Sequence, residues 1–325
     1  MRIGQVSSSP NAADKLAAII TFILAEFKLF QFLEFSLEPA TFNSYPAKED
    51  VGGDNSVREV NGALKSFVFS PSTGSGTQKA YGYENFIDQL YLNDLENGVA
   101  TPEGLRRQIE NEQIRLAKKV AKEVLYDMIN GDGTGGTIYG MKNLIKDTAD
   151  ETGQAEYLGI TQAQLFASLV QVGMVLDLSS EVALRQFEEI LMRELASMGG
   201  NPVLVMNNYL FARMTTVAKK LGVYGVSISD FGKPVDLFGN TPMIPVDLSI
   251  MPLNENDGEH ANCTSLYAVE YNEADGFRYA TNAGFRFVDF ENLETKPSGK
   301  GRLEFYGETK LEDSKKIKRF SRIRL

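Results

Sequence analysis

The chain has 325 residues, of which 43% are hydrophobic and 23% charged, an ordinary globular balance that permits a sizeable core and excludes wholesale disorder. Thirty-three basic residues against 43 acidic ones give a net charge of −10, which argues against a protein built to neutralise phosphates, because nucleic-acid affinity rests on Lys and Arg displacing counterions. Cys263 and His260 are the only cysteine and histidine, so an intrachain disulfide and a thiolate zinc site are excluded, and so are most metalloenzyme constellations.

In chain order, residues 1–10 are polar and include Ser7-Ser8-Ser9-Pro10. A short helix is expected next, with Asn11 as N-cap and Ala12 to Ala25 as its body. The most apolar window, Leu16 to Leu37, is interrupted by Glu26, Lys28 and Glu34. A spanning helix needs about 20 apolar residues, and no A-x-A-like cleavage site follows, so neither a membrane span nor a signal peptide is expected. From Phe27 to Leu37 the pattern alternates, which reads as an extended segment carrying phenylalanines on both faces. It fits an ordinary core strand or an apolar arm laid on a neighbouring subunit. In the second case Phe27, Phe30, Phe32 and Phe35 are candidate contact residues.

Residues 46–80 hold Gly52-Gly53, Gly62 and the run Ser70-Pro71-Ser72-Thr73-Gly74-Ser75-Gly76-Thr77 beside two short alternating runs, Ser56 to Val60 and Lys65 to Phe69. Two strands and a Gly/Ser-rich tip predict a long hairpin. It has little apolar material to anchor it to its own domain, so Lys65, Phe67, Phe69 and Lys79 are further candidates for contact with another subunit.

The clearest element follows. Thr101-Pro102-Glu103 provides a cap, a first-turn proline and an acid. Ile109, Gln113, Leu116, Val120, Val124 and Met128 then recur at spacings of three and four, with Arg107, Glu110, Arg115, Lys118, Lys119 and Lys122 on the opposite face. Gly131-Asp132-Gly133 ends the run. At 1.5 Å per residue the helix would span about 42 Å, and Arg107 on its charged face is a candidate interface residue. Residues 140–290 mix expected helices (Thr161 to Leu176, Ser179 to Met198, Asn207 to Leu221) with expected strands (Pro202 to Met206, Thr241 to Val246, Ser265 to Tyr271), an α/β or α+β pattern with its own core. The tail from Phe285 alternates as strand and closes on a basic stretch in which Ile317, Phe320, Ile323 and Leu325 are interleaved. That interleaving favours a packed terminal strand over a nucleic-acid tail.

Tests for chemistry return nothing. The Gly131 to Thr137 cluster lacks the Gly-Lys-Ser/Thr of a phosphate loop and follows a helix instead of opening one. Read as a calcium loop from Asn130, it places Met141 where a bidentate Glu is required. Glu188 and Glu189 share their helix with Arg185 and Arg193, as a charge-laced surface would. His260 sits in a polar stretch with no evident orienting partner. No catalytic, cofactor-binding or metal-ligating residue is therefore assigned, and no cofactor is expected.

The order of elements resembles the major capsid proteins of tailed bacteriophages, with the HK97-like fold. Tyr91-Leu92-Asn93-Asp94-Leu95-Glu96, followed by Asn111-Glu112-Gln113-Ile114-Arg115-Leu116-Ala117-Lys118, looks like the entry to that family's spine helix. Ile129-Asn130-Gly131-Asp132-Gly133 leading to Ile138-Tyr139-Gly140-Met141 is similar to its post-spine turn. Val203-Leu204-Val205-Met206-Asn207 before a helix, Phe238 to Pro245, Ser265 to Val269 and Gly284 to Phe287 resemble steps of its axial domain.

The resemblance runs from about residue 12 to the end. It implies an α+β fold with an N-terminal arm (1–45), an extended β-hairpin loop (46–80), a peripheral domain (81–144 and 286–325) containing the spine helix at about 102–130, and a mixed α/β axial domain (145–285). It further implies a non-enzymatic subunit that assembles with its own copies, as hexamers and pentamers, into an icosahedral phage head around double-stranded DNA. Portal, scaffolding and decoration proteins are the implied partners, and the virion, assembled in host cytoplasm, the implied location. Some relatives carry a cleaved scaffolding segment before the arm, for which this sequence has no room, so a separate scaffold or prior processing is expected. Some relatives cross-link Lys to Asn; Lys65 and Lys79 lie in the loop, but no acceptor is identifiable and the reaction is not expected. An encapsulin-like compartment packaging an enzyme is the alternative within the same fold. A soluble enzyme using carboxylate or Tyr/Lys chemistry is the remote one, because no convergent constellation supports it.

Overall fold

The structure, a computed structural model, describes residues 1–9, 12–44, 74–88, 103–146, 156–158, 160–161, 164–165, 167–229, 232–253, 263–272, 276–292 and 298–325. Lys65, Phe67, Phe69, the Tyr91 to Glu96 stretch and His260 lie outside these residues, as does the side chain of Arg107.

The chain opens with α1 (Ile3–Val6) and α2 (Ala13–Glu26), then a 3₁₀ turn at Lys28–Gln31, β1 (Phe35–Leu37) and β2 (Thr41–Ser44). It returns through β3 (Gly74–Thr77) into β4 (Lys79–Asp88) and the long helix α3 (Glu103–Asn130), followed by the single-turn α4 (Met141–Leu144). Short strands β5 (Glu156–Tyr157), β6 (Ile160–Thr161) and β7 (Leu169–Gln171) precede α5 (Glu181–Met198), β8 (Val203–Asn207) and α6 (Asn208–Leu221). The remainder is extended: β9 (Tyr224–Ile228), β10 (Pro234–Phe238), β11 (Thr241–Val246), β12 (Cys263–Val269), β13 (Arg278–Thr281), β14 (Phe285–Asn292), β15 (Ser298–Lys310) and β16 (Ile317–Arg324).

Two sheets organise these elements. In a five-stranded sheet, β15 is flanked on one side by β13 and β14 and on the other by β4, and β1 adds parallel to β13. A seven-stranded sheet runs β7-β16-β12-β8-β11-β10-β9. β8 and β12 are buried at every position, because alternate side chains enter different cores. Val203, Val205, Tyr267 and Val269 join the core containing α2, α3 and the five-stranded sheet, while Leu204, Met206, Leu266 and Ala268 meet α5 and α6. Helix α6 starts where the Asn207 Oδ1 accepts from Leu210 N at 2.8 Å and ends at Gly222 with φ +75°.

Helix α3 has the predicted bounds and stripe: Leu116, Val120, Val124 and Met128 are buried, and Ala117, Ala121, Leu125 and Ile129 widen the apolar face. The packed reading of the basic tail also holds. β16 lies between β7 and β12, and Ile317, Phe320 and Ile323 are fully buried.

Three expectations are corrected. The segment Phe27 to Leu37 is not extended throughout: α2 runs to Glu26, a 3₁₀ turn follows, and only Phe35–Leu37 is strand. The turn brings Leu29, Phe30 and Leu33 onto one core, which an alternating strand cannot do. The helix expected from Thr161 to Leu176 does not run through: residues 164–165 are helical, but Leu169–Gln171 is strand β7, because it finds a parallel partner in β16, and tertiary pairing outweighs local propensity. Sheet membership does not follow chain order. β16 belongs to the seven-stranded sheet, whereas β13 belongs with β14 and β15, so the chain crosses between sheets after Val269 and again after Lys310. Finally, Gly74–Thr77 is not a hairpin tip. It is a strand, antiparallel to Thr41–Ser44.

Candidate assembly surface

The β2–β3 ribbon is a two-stranded sheet of its own, and its root is built residue by residue. Register pairs Thr41 with Thr77, Phe42 with Gly76, Asn43 with Ser75 and Ser44 with Gly74. The ring of Phe42 lies where a Cβ on Gly76 would stand, 2.5 Å from Phe42 Cζ, and a Cβ on Gly74 would meet the backbone of Leu158 at 2.1 Å. The glycines of the Gly-Ser-Gly-Thr run are thus required by close approach. Phe42 is buried, with the Lys310 ammonium 5.7 Å from its ring centroid. Lys310 also pairs with Glu38 at 2.6 Å and with Glu312 at 3.6 Å, and Glu312 pairs with Arg278 at 3.0 Å.

β4, which follows the ribbon, is fastened to α3. Tyr81 donates to Asp127 at 2.8 Å and accepts from Ile138 N at 2.8 Å. Burial raises the Asp127 carboxyl and the Tyr81 phenol above their ordinary values. Tyr83 donates to Glu123 at 2.7 Å, and Lys119 sits 3.6 Å over the Tyr83 ring. Glu308, on β15, accepts from Tyr139 N at 2.9 Å and Thr309 N at 2.8 Å. Burial raises its carboxyl, against the lowering pull of those two amides and of Lys79. These perturbed groups join elements to one another.

A cleft of about 1000 Å³ separates the end of α2, α3, β4 and β11, with Phe27, Leu29, Tyr83, Lys119, Lys122 and Asp247 in its wall. Its charges are largely answered from within: Lys118 pairs with Glu26 at 3.1 Å, Arg115 with Glu112 at 2.8 Å, and Lys119 with the Tyr83 ring. The glutamates of α5 form the expected charge-laced surface, Glu181 pairing with Arg185 at 3.1 Å. Among the described residues no cluster of His, Cys, Asp and Glu is arranged to hold a metal ion, and no helix is long and apolar enough to cross a membrane.

Among the described residues, the four candidate phenylalanines gather on one core, with Phe27 edge-on to Phe30 at 6.4 Å. Phe30 and Phe35 are fully buried by their own chain, Phe30 edge-on to Phe285 at 5.9 Å and Phe35 edge-on to Phe305 at 6.4 Å. Phe27 and Phe32 are half-buried against the same core. Lys79 opens β4 opposite Gly307. Sequence reasoning missed Phe42, Gln78 and Lys310. The available signal was the alternation of Gly74 and Gly76, a pattern of close backbone approach that reads as a turn in the sequence.

No family model matches the sequence, and no curated protein does. Solved structures match along nearly the whole chain. The encapsulin of the holo-SrpI complex from Synechococcus elongatus PCC 7942 is 13% identical over 91% of this chain and 87% of its own, with a TM-score of 0.56. The capsid of an empty GTA particle is 17% identical over 90% and 88%, with a TM-score of 0.57. A virus-like particle from Pyrococcus furiosus is 11% identical over 94% and 96%, with a TM-score of 0.53. The architecture is therefore that of capsid and compartment shells. More narrowly, this chain has the HK97-like capsid fold, an α+β arrangement with a long spine helix, α3.

Proposed function

We propose that the protein is a shell subunit: copies assemble as hexamers and pentamers into the icosahedral head of a tailed phage, enclosing double-stranded DNA. The observation that carries this reading is a fold shared across most of both chains with shell proteins, in which β2 and β3 form a two-stranded sheet of their own beside the five-stranded one. A closed lattice of copies is how such an element gains contacts that its own domain does not provide. The electrostatics agree. A net charge of −10 suits a wall that surrounds DNA without gripping it. Scaffolding, portal and decoration proteins are the partners that such a head would use, and the virion, assembled in host cytoplasm, is its location. The subunit acts by geometry and not as an enzyme.

A second reading, an encapsulin-like compartment around a protein cargo, is favoured by the likeness to the holo-SrpI encapsulin complex. Electron microscopy of the expressed protein tests the shared claim: closed particles are expected, and a species that stays monomeric and folded at every concentration and salt overturns it. Ultraviolet absorbance and mass spectrometry of particles isolated from the native source separate the two contents, DNA for a head and one co-purifying protein for a compartment.

A further inference from the structure

Gln78 is the single residue between β3 and β4, that is, between a strand of the ribbon and a strand of the five-stranded sheet. The outgoing chain turns the same corner at Glu38, Pro39 and Ala40, between β1 and β2. All three of those carbonyls accept hydrogen bonds from Gln78. Its backbone N–H reaches Ala40 O at 2.9 Å, and its Nε2 reaches Glu38 O and Pro39 O, each at 3.0 Å. On its other side, Gln78 Oε1 accepts from Asn282 N at 2.9 Å, just past the end of β13. The corner is held from the sheet as well. Glu38 N donates to Thr281 O at 2.9 Å, and the Glu38 carboxylate takes the Lys310 ammonium at 2.6 Å. A glutamine is suited to this place because one amide supplies a donor pair and an acceptor at once, and Pro39 brings a carbonyl with no N–H of its own.

We propose that Gln78 is a positioning residue for assembly: by clamping both crossing strands to the end of β13, it sets the angle at which the ribbon leaves the five-stranded sheet. A two-stranded ribbon is marginal by itself, so its direction must come from its root. The side-chain amide provides three of the bonds there. The inference rests on the shell reading for its consequence in assembly, though not for its consequence in the isolated subunit.

The test uses the full-length chain with Gln78→Ala and Gln78→Met, the second keeping the volume without the amide. Hydrogen exchange on unassembled subunits is expected to speed up about tenfold at the amides of Thr41–Ser44 and Gly74–Thr77 in both variants. The amides of Leu303 and Phe305 should keep their wild-type rates. Electron microscopy should then show malformed or open particles where the wild type closes. Wild-type exchange at the ribbon in Gln78→Met overturns the proposal, as do normally closed particles in both variants. A wild-type chain that never assembles, with the exchange contrast intact, sinks the shell reading and leaves the clamp standing. If Gln78→Ala fails to fold, Gln78→Met carries the comparison. If both unfold, the residue is part of the fold's foundation, and the positioning role is rejected.

Discussion

Phe30 and Phe42 lie twelve positions apart near the start of the chain, and solvent reaches neither to any extent, with exposures of 0% and 2%. Their surroundings differ completely. Phe30 sits in a core shared by α2, α3 and both sheets, against Phe285. Phe42 belongs to neither hydrophobic core and is covered by Gly76 from its own ribbon and by Lys310. The apolar N-terminal segment, which looked as if it needed a neighbour, is covered within its own chain. The ribbon, which looked merely polar, is the part tied down by a few specific contacts. A greasy sequence thus says that something must cover it, but not whose surface does so.

That contrast can be broken by mutation, beginning with the largest effect. Phe30→Ala is expected to lower the stability of the isolated subunit by about 3–5 kcal/mol, the cost of truncating a core phenylalanine, read by denaturant unfolding. If the segment were instead waiting for a neighbour, the isolated subunit would hardly notice the change and only the particles would weaken. Phe42→Ala should lower global stability by less than half as much, because the ribbon can open locally while both cores stay closed. Its signature is fast hydrogen exchange at Thr41–Ser44, and an unfolding midpoint as low as that of Phe30→Ala would show the ribbon to be part of the main cooperative unit.

The smallest effect concerns the sheet behind the ribbon's root. Burial raises the Glu308 carboxyl above the ordinary glutamate range, about 4.3. A group raised in the folded state contributes stability that is full below its unfolded value and is lost as pH rises through its folded value. Glu308→Gln keeps an acceptor for Tyr139 N and Thr309 N but removes the titration. The wild type should therefore lose stability relative to the variant as pH rises above the ordinary glutamate range, measured by urea unfolding. Parallel pH curves for the two proteins would remove Glu308 from the account.

Much of the architecture was legible from local pattern. The stripe from Leu116 to Met128 and the stop at Gly131 define α3 without knowledge of its neighbours, since spacing and caps are properties of the helix alone. Asn207 and Gly222 bracket α6 in the same way. Ile317, Phe320 and Ile323 announced a packed terminal strand. The failures lie where a segment's form is chosen by its partner. Nothing in Leu169-Val170-Gln171 says that Arg319-Phe320-Ser321 will lie beside it. Lys28 to Gln31 winds into a turn that brings Leu29, Phe30 and Leu33 into one core.

The candidate contact residues were chosen by type, as apolar or basic groups in segments that seemed unsupported. Phe30 and Phe35 show why type misleads: the same ring that would serve an interface serves a core equally well. Gln78 shows the converse, since a neutral glutamine in a glycine-rich run carries no signal until the corner it spans is seen. The sequence alone determined the long helix, the capped helices of the second half, the strand-rich tail and the acidic, nearly histidine-free composition, because periodicity, caps and charge are local quantities. Only the tertiary structure decided which sheet β16 joins, that the N-terminal phenylalanines are internal, and that Gly74–Thr77 is a strand paired with Thr41–Ser44. Those outcomes depend on contacts between residues tens to hundreds of positions apart, and no local pattern encodes the partner.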